Sequence, residues 1–299
     1  MGGKSSALNW GLNFTRAEVV VTVDADSMLG PRALWEIVQP LRDPGVGAAT
    51  GTIRVWNAET NLCTWLQAWE YRQAIFVGRL VQARFGLLSI VSGAFGAFRR
   101  PLLERLCGWD AGSGEDGDLT LRIRKGGFSI AAASYADCFT CAPTTWRGLF
   151  RQRLRWDRAV VTFECRKHRD LTDIWSRNFR FDNFVVGVER RVLSVFCVLM
   201  FWLYLPWLFI LQPASAWQSL AFLYFCQVGI ECVQAMLLMF YSRDRAGDLQ
   251  LAMAVPFVPL YYMFLKAASL VAILDETFLR KSHQDNYVPK KVRSVTWHW

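Results

Sequence analysis

Two aspartates, Asp24 and Asp26, directly follow a β-branched run over residues 18–23. Side chains two positions apart on a strand point to the same side, so both carboxylates would leave the strand end together. In an α/β sheet, the carboxyl ends of the strands face the crevice where ligands bind. Carboxylate oxygens there suit a hard cation, and the pair predicts a site for Mg²⁺ or Mn²⁺. A polar turn is the simpler alternative, because Asp is common in turns.

A second acidic pair, Glu115 and Asp116, opens a helix predicted over residues 115–125. A carboxylate held at this position, Asp116 above all, could act as a general base, a role that typically contributes about 10²–10⁴-fold to a rate. Acidic residues in a first turn also stabilise the helix dipole and satisfy free N–H groups, and Asp118 alone could do that. The residues leave both interpretations open.

Gln152, Arg155 and Trp156 share one face of a helix predicted over residues 146–161, because they lie three and four positions apart. Arg can hold a diphosphate through forked, charge-assisted hydrogen bonds. Trp can stack on the apolar face of a sugar ring. The helix is also basic and aromatic, so anchoring at lipid headgroups is an alternative role, and the two roles are compatible.

Ser92 and Gly93 open a loop in which small residues alternate with aromatic ones. Because glycine lets a backbone approach a ligand closely, both residues are candidates for substrate binding. Tight packing between a strand and a loop is the alternative. The histidines lie near charged segments and none has the setting of a metal ligand. Cys138 and Cys141 have metal or redox spacing but no second ligand pair, which favours reduced thiols in a cytosol-facing part.

These candidates must be positioned by an α/β domain, because predicted strands alternate with predicted helices. The strand over 18–23 is nearly continuous in β-branched residues, as expected for a strand buried on both faces of a parallel sheet. The other predicted elements are strands over 46–55, 88–98 and 128–134 and helices over 7–14, 31–41, 61–82 and 115–125.

Three apolar runs follow, over residues 192–211, 214–241 and 251–274, and each is long enough for a transmembrane helix. With 53% apolar and 20% charged residues, a soluble half joined to a membrane half fits best. The net charge of +9 suits an anionic lipid face or an anionic substrate, and no motif for nucleic acid is present. Basic residues precede the first run and separate the second from the third, which predicts cytosolic segments there.

The third run is expected to be re-entrant or a pair of short segments, because Pro256 and Pro259 interrupt it. Three complete crossings would export a tail rich in Lys and Arg, against the positive-inside tendency. Glu231, the acidic residue of the second run, could line a polymer path or bond to another helix.

As a set, these residues resemble the processive family 2 glycosyltransferases, which include cellulose, chitin-oligosaccharide, hyaluronan and poly-N-acetylglucosamine synthases. The resemblance runs through residues 3–9, 24–26, 92–94, 114–116 and 152–156. It implies a partial GT-A (Rossmann-like) domain followed by interfacial and transmembrane helices. It further implies an inverting hexosyltransferase that extends a β-linked polysaccharide from a UDP-sugar, either UDP-N-acetylglucosamine or UDP-glucose, the former being favoured.

On the donor side, the resemblance implies that Lys4 lies near the nucleotide. Asp24 and Asp26 would bind the metal and the diphosphate, which Gln152 and Arg155 would also hold. These roles place the donor between the first acidic pair and the predicted helix over 146–161.

On the acceptor side, the resemblance implies that Glu115 and Asp116 form the catalytic pair, with Asp116 as the base. Trp156 would stack on the acceptor, and the loop that begins at Ser92 and Gly93 would line its end. The implied divisions are a catalytic part over 1–145, interfacial helices over 146–190, transmembrane helices over 191–275 and a basic tail over 276–299.

Members of this family carry a first strand and an acidic residue that bind uridine ahead of the segment matched by residues 3–9. We therefore expect an amino-terminal truncation, and an inactive membrane-bound fragment is one alternative. Transfer of a single sugar to a lipid acceptor is another. The expected location is the plasma membrane, with several crossings and the catalytic part facing the cytosol.

Overall fold

The computed structural model describes residues 3–110, 114–176 and 179–284. Within them, a five-stranded sheet has the order β1-β4-β3-β5-β2. The strands are β1 Val19–Val23, β2 Met28–Leu29, β3 Val46–Val55, β4 Phe95–Arg99 and β5 Ser129–Thr140. Part of the predicted basic tail, including Lys290, Lys291 and Arg293, lies outside the described residues.

Helices surround the sheet and dominate the second half of the chain. The first half contains α1 Gly3–Leu12, α2 Ala33–Val38, α3 Leu62–Tyr71, α4 Arg79–Arg84, α5 Arg100–Arg105 and α6 Glu115–Lys125. The second half contains α7 Trp146–Val160, α8 Phe181–Arg191, α9 Cys197–Leu211, α10 Ala216–Tyr241, α11 Arg245–Ala252 and α12 Val258–Phe278. Short π segments, Arg72–Gly78, Val161–Lys167 and Val192–Phe196, continue α3, α7 and α8.

The sheet is mixed, which corrects the expected parallel setting of residues 18–23. β1 pairs antiparallel with β4, β4 pairs antiparallel with β3, and β3 runs parallel to β5. Among the described residues, β1 is an edge strand, so Val19 to Val21 are only partly buried and Val23 is 39% exposed. A β-branched run therefore identified the strand but not its neighbours.

Several predicted boundaries also change. The predicted helix over 61–82 starts with a capping box between Asn61 and Thr64, but the π segment Arg72–Gly78 interrupts it. Residues 88–94 form a loop, so the predicted third strand starts only at Phe95 and runs one residue beyond its predicted end, to Arg99. The last strand runs six residues beyond its predicted end, to Thr140, because it resumes pairing with β3 after an irregularity at Gly51.

The sheet is packed on both faces. One face carries a core that includes Ile37, Ile53 and Phe95, and the other carries a core that includes Phe98 and Leu119. Two-sided packing holds the strand ends and the loop before β4 in fixed positions, which is the condition for a preorganised site. The eight cysteines are free thiols, as expected, and Cys138 is buried in β5.

Three helical stretches are long and apolar enough to cross a membrane: Phe181–Leu211, Ala216–Tyr241 and Arg245–Phe278. The second and third stretches also pack on helices that precede them, since Trp69 of α3, Leu149 of α7, Leu238 of α10 and Tyr261 of α12 share one apolar cluster.

The buried carboxylate of Glu231 bonds across to another helix, which was one of its two predicted roles. It accepts hydrogen bonds from Trp69 Nε1 at 2.8 Å and from Gln227 Nε2 at 3.0 Å. Satisfying a buried carboxylate in this way offsets the cost of removing it from water. Glu231 therefore fixes α10 against α3.

Candidate active site

Asp24 and Asp26 lie in a tight turn at the carboxyl end of β1. The N–H of Ser27 donates to the carbonyl of Asp24 at 3.0 Å, and the strand ends at Val23. The expectation that both carboxylates share one face of a strand is therefore wrong, because the chain turns between them. The N–H of Asp24 donates to the carbonyl of Ala94 at 3.1 Å, which fixes this turn beside the loop before β4.

The ammonium group of Lys4 connects four segments of the site. Its Nζ lies 2.6 Å from Asp24 Oδ1 and 3.5 Å from Glu115 Oε1, and it donates to the carbonyl of Gly93 at 3.1 Å. Burial alone would lower the pKa of Lys4, but the hydrogen bond to Asp24 and the charges of Glu115 and Asp116 raise it overall. Oxygen atoms of Asp24, Gly93 and Glu115, which lie 20, 89 and 111 positions from Lys4 along the chain, thus surround its ammonium group.

The carboxylate of Asp116 is held at both oxygens. Oδ2 accepts the N–H of Gly93 at 3.0 Å, and Oδ1 accepts the N–H of Gly117 at 2.8 Å. A β-carbon on Gly93 would lie 3.0 Å from Lys4 Nζ and 3.1 Å from Asp116 Oδ2, so a side chain at this position would crowd both groups. Burial and the neighbouring charge of Asp116 raise the pKa of Glu115, although Lys4 opposes this.

Two hydroxyl groups that the sequence analysis did not identify brace the loop around Asp116. Thr120 Oγ1 donates to the carbonyl of Asp116 at 2.7 Å and accepts the N–H of Val91 at 2.9 Å. Thr50 Oγ1 accepts the N–H of Ser92 at 3.0 Å. The middle of the loop is therefore tied to α6 through Val91 and to β3 through Ser92.

Next to this loop lies Arg79, a half-buried cation that was also not predicted. Its Nη1 donates to Thr50 Oγ1 at 2.9 Å. Burial lowers the pKa of Arg79 to about 10, and the charge of Asp116 opposes that shift. A charged residue inside an otherwise apolar helical run was the available sequence indication.

The start of α6 contacts the helix that carries the third predicted group. Gly114 has φ +85°, a left-handed conformation that favours glycine. A β-carbon there would lie 2.9 Å from the Cβ of Ala159 in α7. Because Ala159 follows Arg155 and Trp156 by one helical turn on the same face, that face of α7 adjoins the acidic pair.

Within α7, Gln152 Oε1 is buried and has no hydrogen-bond partner among the described residues. The indole of Trp156 is partly exposed, and the guanidinium carbon of Arg153 lies 4.7 Å from its ring centroid. Arg153 donates two hydrogen bonds to Glu70, at 2.7 and 2.6 Å, and Tyr261 Oη donates to the same carboxylate at 2.5 Å. The Glu70–Arg153–Tyr261 cluster, which was not predicted, thus joins α3, α7 and α12.

We expect Glu70→Gln to lower the free energy of unfolding by about 3–5 kcal/mol, because it leaves the buried Arg153 guanidinium without its counter-charge. Glu104→Gln, which removes an exposed ion pair with Arg100, should cost no more than about 1 kcal/mol. Chemical denaturation of the two detergent-solubilised variants and the unaltered protein would give the free energies of unfolding to be compared. If both substitutions lowered the free energy of unfolding by the same small amount, the ion pair between Glu70 and Arg153 would not be a buried, stabilising one.

Asp118 lies in the first turn of α6, as the alternative interpretation of the sequence required, and its carboxylate contacts Arg122, Lys167 and His168. Burial would raise its pKa, but the hydrogen bond with His168 and the charges of Arg122 and Lys167 hold it well below its usual range. The Nζ of Lys167 lies 2.7 Å and His168 Nε2 lies 2.8 Å from Asp118 Oδ1. Asp118 therefore joins α6 to the segment after α7, while Asp116 faces the loop at Gly93.

The oxygen atoms around Lys4 are a suitable environment for a cation, and Asp24 and Asp26 supply carboxylates of the kind that Mg²⁺ and Mn²⁺ prefer. The described residues contain no group of three or more His, Cys, Asp or Glu side chains that could enclose a metal. Two carboxylates completed by substrate phosphates are a common arrangement for Mg²⁺, so the residues fit a metal that binds together with its substrate.

Residues 1–159 match the family described as glycosyltransferase like family 2. The chain is 31% identical over 197 residues to the probable glycosyltransferase YdaM of Bacillus subtilis, covering 62% of this chain and 47% of the relative. It is 31% identical over 167 residues to an N-acetylglucosaminyltransferase of Bradyrhizobium diazoefficiens, covering 53% and 34%. It is 29% identical over 156 residues to a poly-β-1,6-N-acetyl-D-glucosamine synthase of Staphylococcus aureus, covering 52% and 38%. The chain thus spans at most about half the length of these relatives.

Among solved structures, the fold is similar to that of the mannosyltransferase PcManGT from Pyrobaculum calidifontis, which was determined with GDP-mannose and Mn²⁺. The TM-score is 0.57 at 19% identity, and the alignment covers 92% of this chain and 67% of the other. This likeness concerns the fold and extends from the sheet into the apolar helices.

Proposed function

Because the chain belongs to family 2 of the glycosyltransferases, we propose that it transfers a hexose from a UDP-sugar to the end of a growing β-linked polysaccharide at a membrane, with inversion at the anomeric carbon. The family establishes a transferase with a GT-A-like domain followed by apolar helices. The observation that best supports the finer proposal is the convergence of Lys4, Asp24 and the Glu115–Asp116 pair on one loop.

Asp116 is the proposed general base. As the acceptor hydroxyl oxygen bonds to the anomeric carbon, its proton passes to the Asp116 carboxylate, and the bond between that carbon and the diphosphate oxygen breaks to release UDP. Hydrogen bonds from Gly93 and Gly117 stabilise the carboxylate and fix its direction. Attack from the side opposite the departing diphosphate inverts the configuration.

The diphosphate would be bound by Lys4, Gln152 and Arg155, and Asp24 and Asp26 would hold Mg²⁺ or Mn²⁺. When bound, the divalent ion neutralises charge on the departing diphosphate. The amide N–H groups of Gln152 could donate to the diphosphate, whereas its Oε1, which is buried without a partner among the described residues, would accept a hydrogen bond from a sugar hydroxyl or a water. The guanidinium of Arg155 suits a forked contact with phosphate oxygens.

Trp156 is the proposed platform for the acceptor sugar. Arg153 lies over one face of its indole, so the opposite face is the one available for stacking. Ser92 and Gly93, which pack beside Asp116, would line the acceptor end. The Glu70–Arg153–Tyr261 cluster would then orient Trp156 without touching the sugar.

We favour UDP-N-acetylglucosamine over UDP-glucose as the donor, since two of the relatives carry N-acetylglucosamine in their names. Membranes containing the protein would be incubated with each radiolabelled donor, and the products separated by size. A ladder of polymers from UDP-N-acetylglucosamine, absent with Asp116→Asn, is the expected result. A single labelled glycolipid would instead indicate a lipid acceptor, and no product with either donor would indicate an inactive fragment.

The proposed location is the plasma membrane, with several crossings and the catalytic half in the cytosol. Three helical stretches have sufficient length and apolar character. Arg190 and Arg191 precede α9, and Arg243 follows α10, so basic residues flank the two helices on the same side. The free thiols agree with a reducing compartment.

A further inference from the structure

The part of the chain before α8, which comprises the sheet, its helices, α7 and the segment that follows α7, is called the catalytic half below. The amino end of α9 is attached to this half through α8. Arg124 of α6 donates to Asn183 Oδ1 of α8 at 2.9 Å, and Arg190 donates to Glu164 at 2.7 Å. Arg191 also donates to the carbonyl of His168 at 3.0 Å. The chain therefore enters its apolar part from the surface of the catalytic half.

The carboxyl end of α10 returns to the same half of the molecule. Tyr135 Oη of β5 donates to the carbonyl of Tyr241 at 3.3 Å, and Arg54 of β3 bonds Asp244 at 2.8 Å. Asp248 of α11 is buried and paired with Arg72. The start of α9 and the end of α10 thus lie on one side, which describes a hairpin of two opposed helices.

The carboxyl end of α12 is attached to the catalytic half as well. Asp275 pairs with Arg158 of α7, and Glu276 lies 2.6 Å from Arg166 in the segment that follows α7. Ser269 Oγ donates to Asp157 Oδ2 at 2.7 Å. Three successive ends of the apolar helices, at residues 191, 241 and 278, therefore meet the same half of the molecule.

The direction of α12 agrees with these attachments. Tyr224 of α10 donates to the carbonyl of Pro256 at 2.6 Å. Further along both helices, Glu231 bonds Trp69 and Tyr261 bonds the adjacent Glu70. The chain therefore proceeds along α10 and α12 in the same direction, so α12 ends on the side of the molecule where α10 ends.

Relative to α9, α12 runs in the opposite direction. Trp202 Nε1 donates to the carbonyl of Lys266 at 3.1 Å, and Val198, four residues earlier, shares an apolar cluster with Ile273. Since α9 starts on the side where α10 ends, α12 leads toward that same side. α11, which connects the end of α10 to the start of α12, has 8 residues, whereas a transmembrane helix needs about 20.

We infer that the chain crosses the bilayer twice, through α9 and α10, and that α11 and α12 form a re-entrant pair whose carboxyl end stays on the catalytic side. This inference rests on the proposed membrane location. This topology also agrees with the positive-inside tendency, because Arg280 and Lys281 of the basic tail then lie on the same side as Arg190 and Arg243. The partner of α11 and α12 is the lipid of the leaflet nearest the catalytic half.

The second helix of the re-entrant pair, α12, packs against the helix that carries part of the proposed site. Along its length, α12 contacts α7, from Trp146 and Phe150 near its amino end to Arg158 near the other. Since α7 carries Gln152, Arg155 and Trp156, α12 supports the proposed substrate-binding helix from its lipid side. A helix that spanned the membrane independently would not be required to contact it along this length.

The test places reporters in the full chain at three positions: before residue 1, within the turn at residues 212–215, and after residue 299. Green fluorescent protein fluoresces in the bacterial cytosol, and alkaline phosphatase is active in the periplasm. We expect fluorescence without phosphatase activity at both chain ends, and phosphatase activity without fluorescence at 212–215. Phosphatase activity after residue 299 would overturn the re-entrant pair, and fluorescence at 212–215 would overturn the two crossings.

The same map is expected for the Asp116→Asn chain, which serves as the matched control. Topology reporters do not depend on catalysis, so loss of the proposed activity leaves this test intact. Conversely, a reporter map with an exported carboxyl end would overturn the topology while leaving the assignment of the base unaffected.

Discussion

Asp116→Asn lowers sugar transfer by about 10²–10⁴-fold, the contribution expected from one general base. An amide can still accept the Gly93 N–H, as the native Oδ2 does at 3.0 Å, so the loop and the fold should persist. It cannot take the acceptor proton, and the step that forms the new glycosidic bond loses its proton acceptor. The measurement is the release of UDP by membranes supplied with the UDP-sugar and acceptor.

Glu104→Gln is the matched control for this substitution, since Glu104 is an exposed acidic residue on α5 whose partner is Arg100. Its transfer rate should equal that of the unaltered protein. UDP binding should also survive in Asp116→Asn, because the proposed diphosphate ligands lie elsewhere. If the Asp116 variant released UDP at the unaltered rate, Asp116 would not be the base.

Asp24→Asn is expected to reduce transfer by about 10²–10³-fold, the size typical of losing one group that stabilises charge in a transition state. Asp24 is the proposed metal ligand and also pairs with Lys4 at 2.6 Å, so the substitution removes charge from the centre of the site. Transfer rates would be measured across a Mn²⁺ titration. The variant should require more Mn²⁺ than the unaltered protein, and Asp26→Asn should shift the requirement in the same direction.

Glu18→Gln, at the other end of β1, controls for a general loss of negative charge near the strand. It should leave both the rate and the Mn²⁺ requirement unchanged. Transfer that persisted in EDTA, with Asp24→Asn as active as Glu18→Gln, would remove the metal from the proposed reaction.

The sequence identified the charged residues that meet in front of the loop at Gly93, Lys4 through the family resemblance, but not Thr50, Thr120 and Arg79, which brace the loop. Lys4, Asp24 and the Glu115–Asp116 pair lie within direct contact of that loop or of one another. Such residues are recognisable because each sits at the end of a strand or the start of a helix, where local pattern determines position. The roles of Gln152, Arg155 and Trp156 depend on a bound substrate and stay predictions.

Strand pairing was less predictable, because periodicity describes one strand and says little about its neighbours. β1 pairs antiparallel with β4, although its β-branched run suggested a buried parallel strand. The turn at Asp24 likewise depends on a hydrogen bond from its N–H to Ala94, 70 residues further along the chain. Long-range partners of this kind cannot be read from the spacing within a motif.

The Glu70–Arg153–Tyr261 cluster illustrates the same limit. Arg153 and Tyr261 lie 83 and 191 positions after Glu70. In the sequence, none of the three residues differs from the residues expected in an amphipathic helix. A re-entrant course for the third apolar run was predicted from Pro256 and Pro259 and from the basic residues after it, and it stays a proposal. The attachment of this run to α7 through Asp275 and Glu276 was not predicted.

The most direct test is a structure of the protein with UDP and Mn²⁺. We predict that the metal lies between the carboxylates of Asp24 and Asp26 and the diphosphate, that Arg155 contacts the diphosphate, and that Asp116 faces the position of the anomeric carbon. A diphosphate bound away from Asp24, or a metal held without either aspartate, would contradict this account.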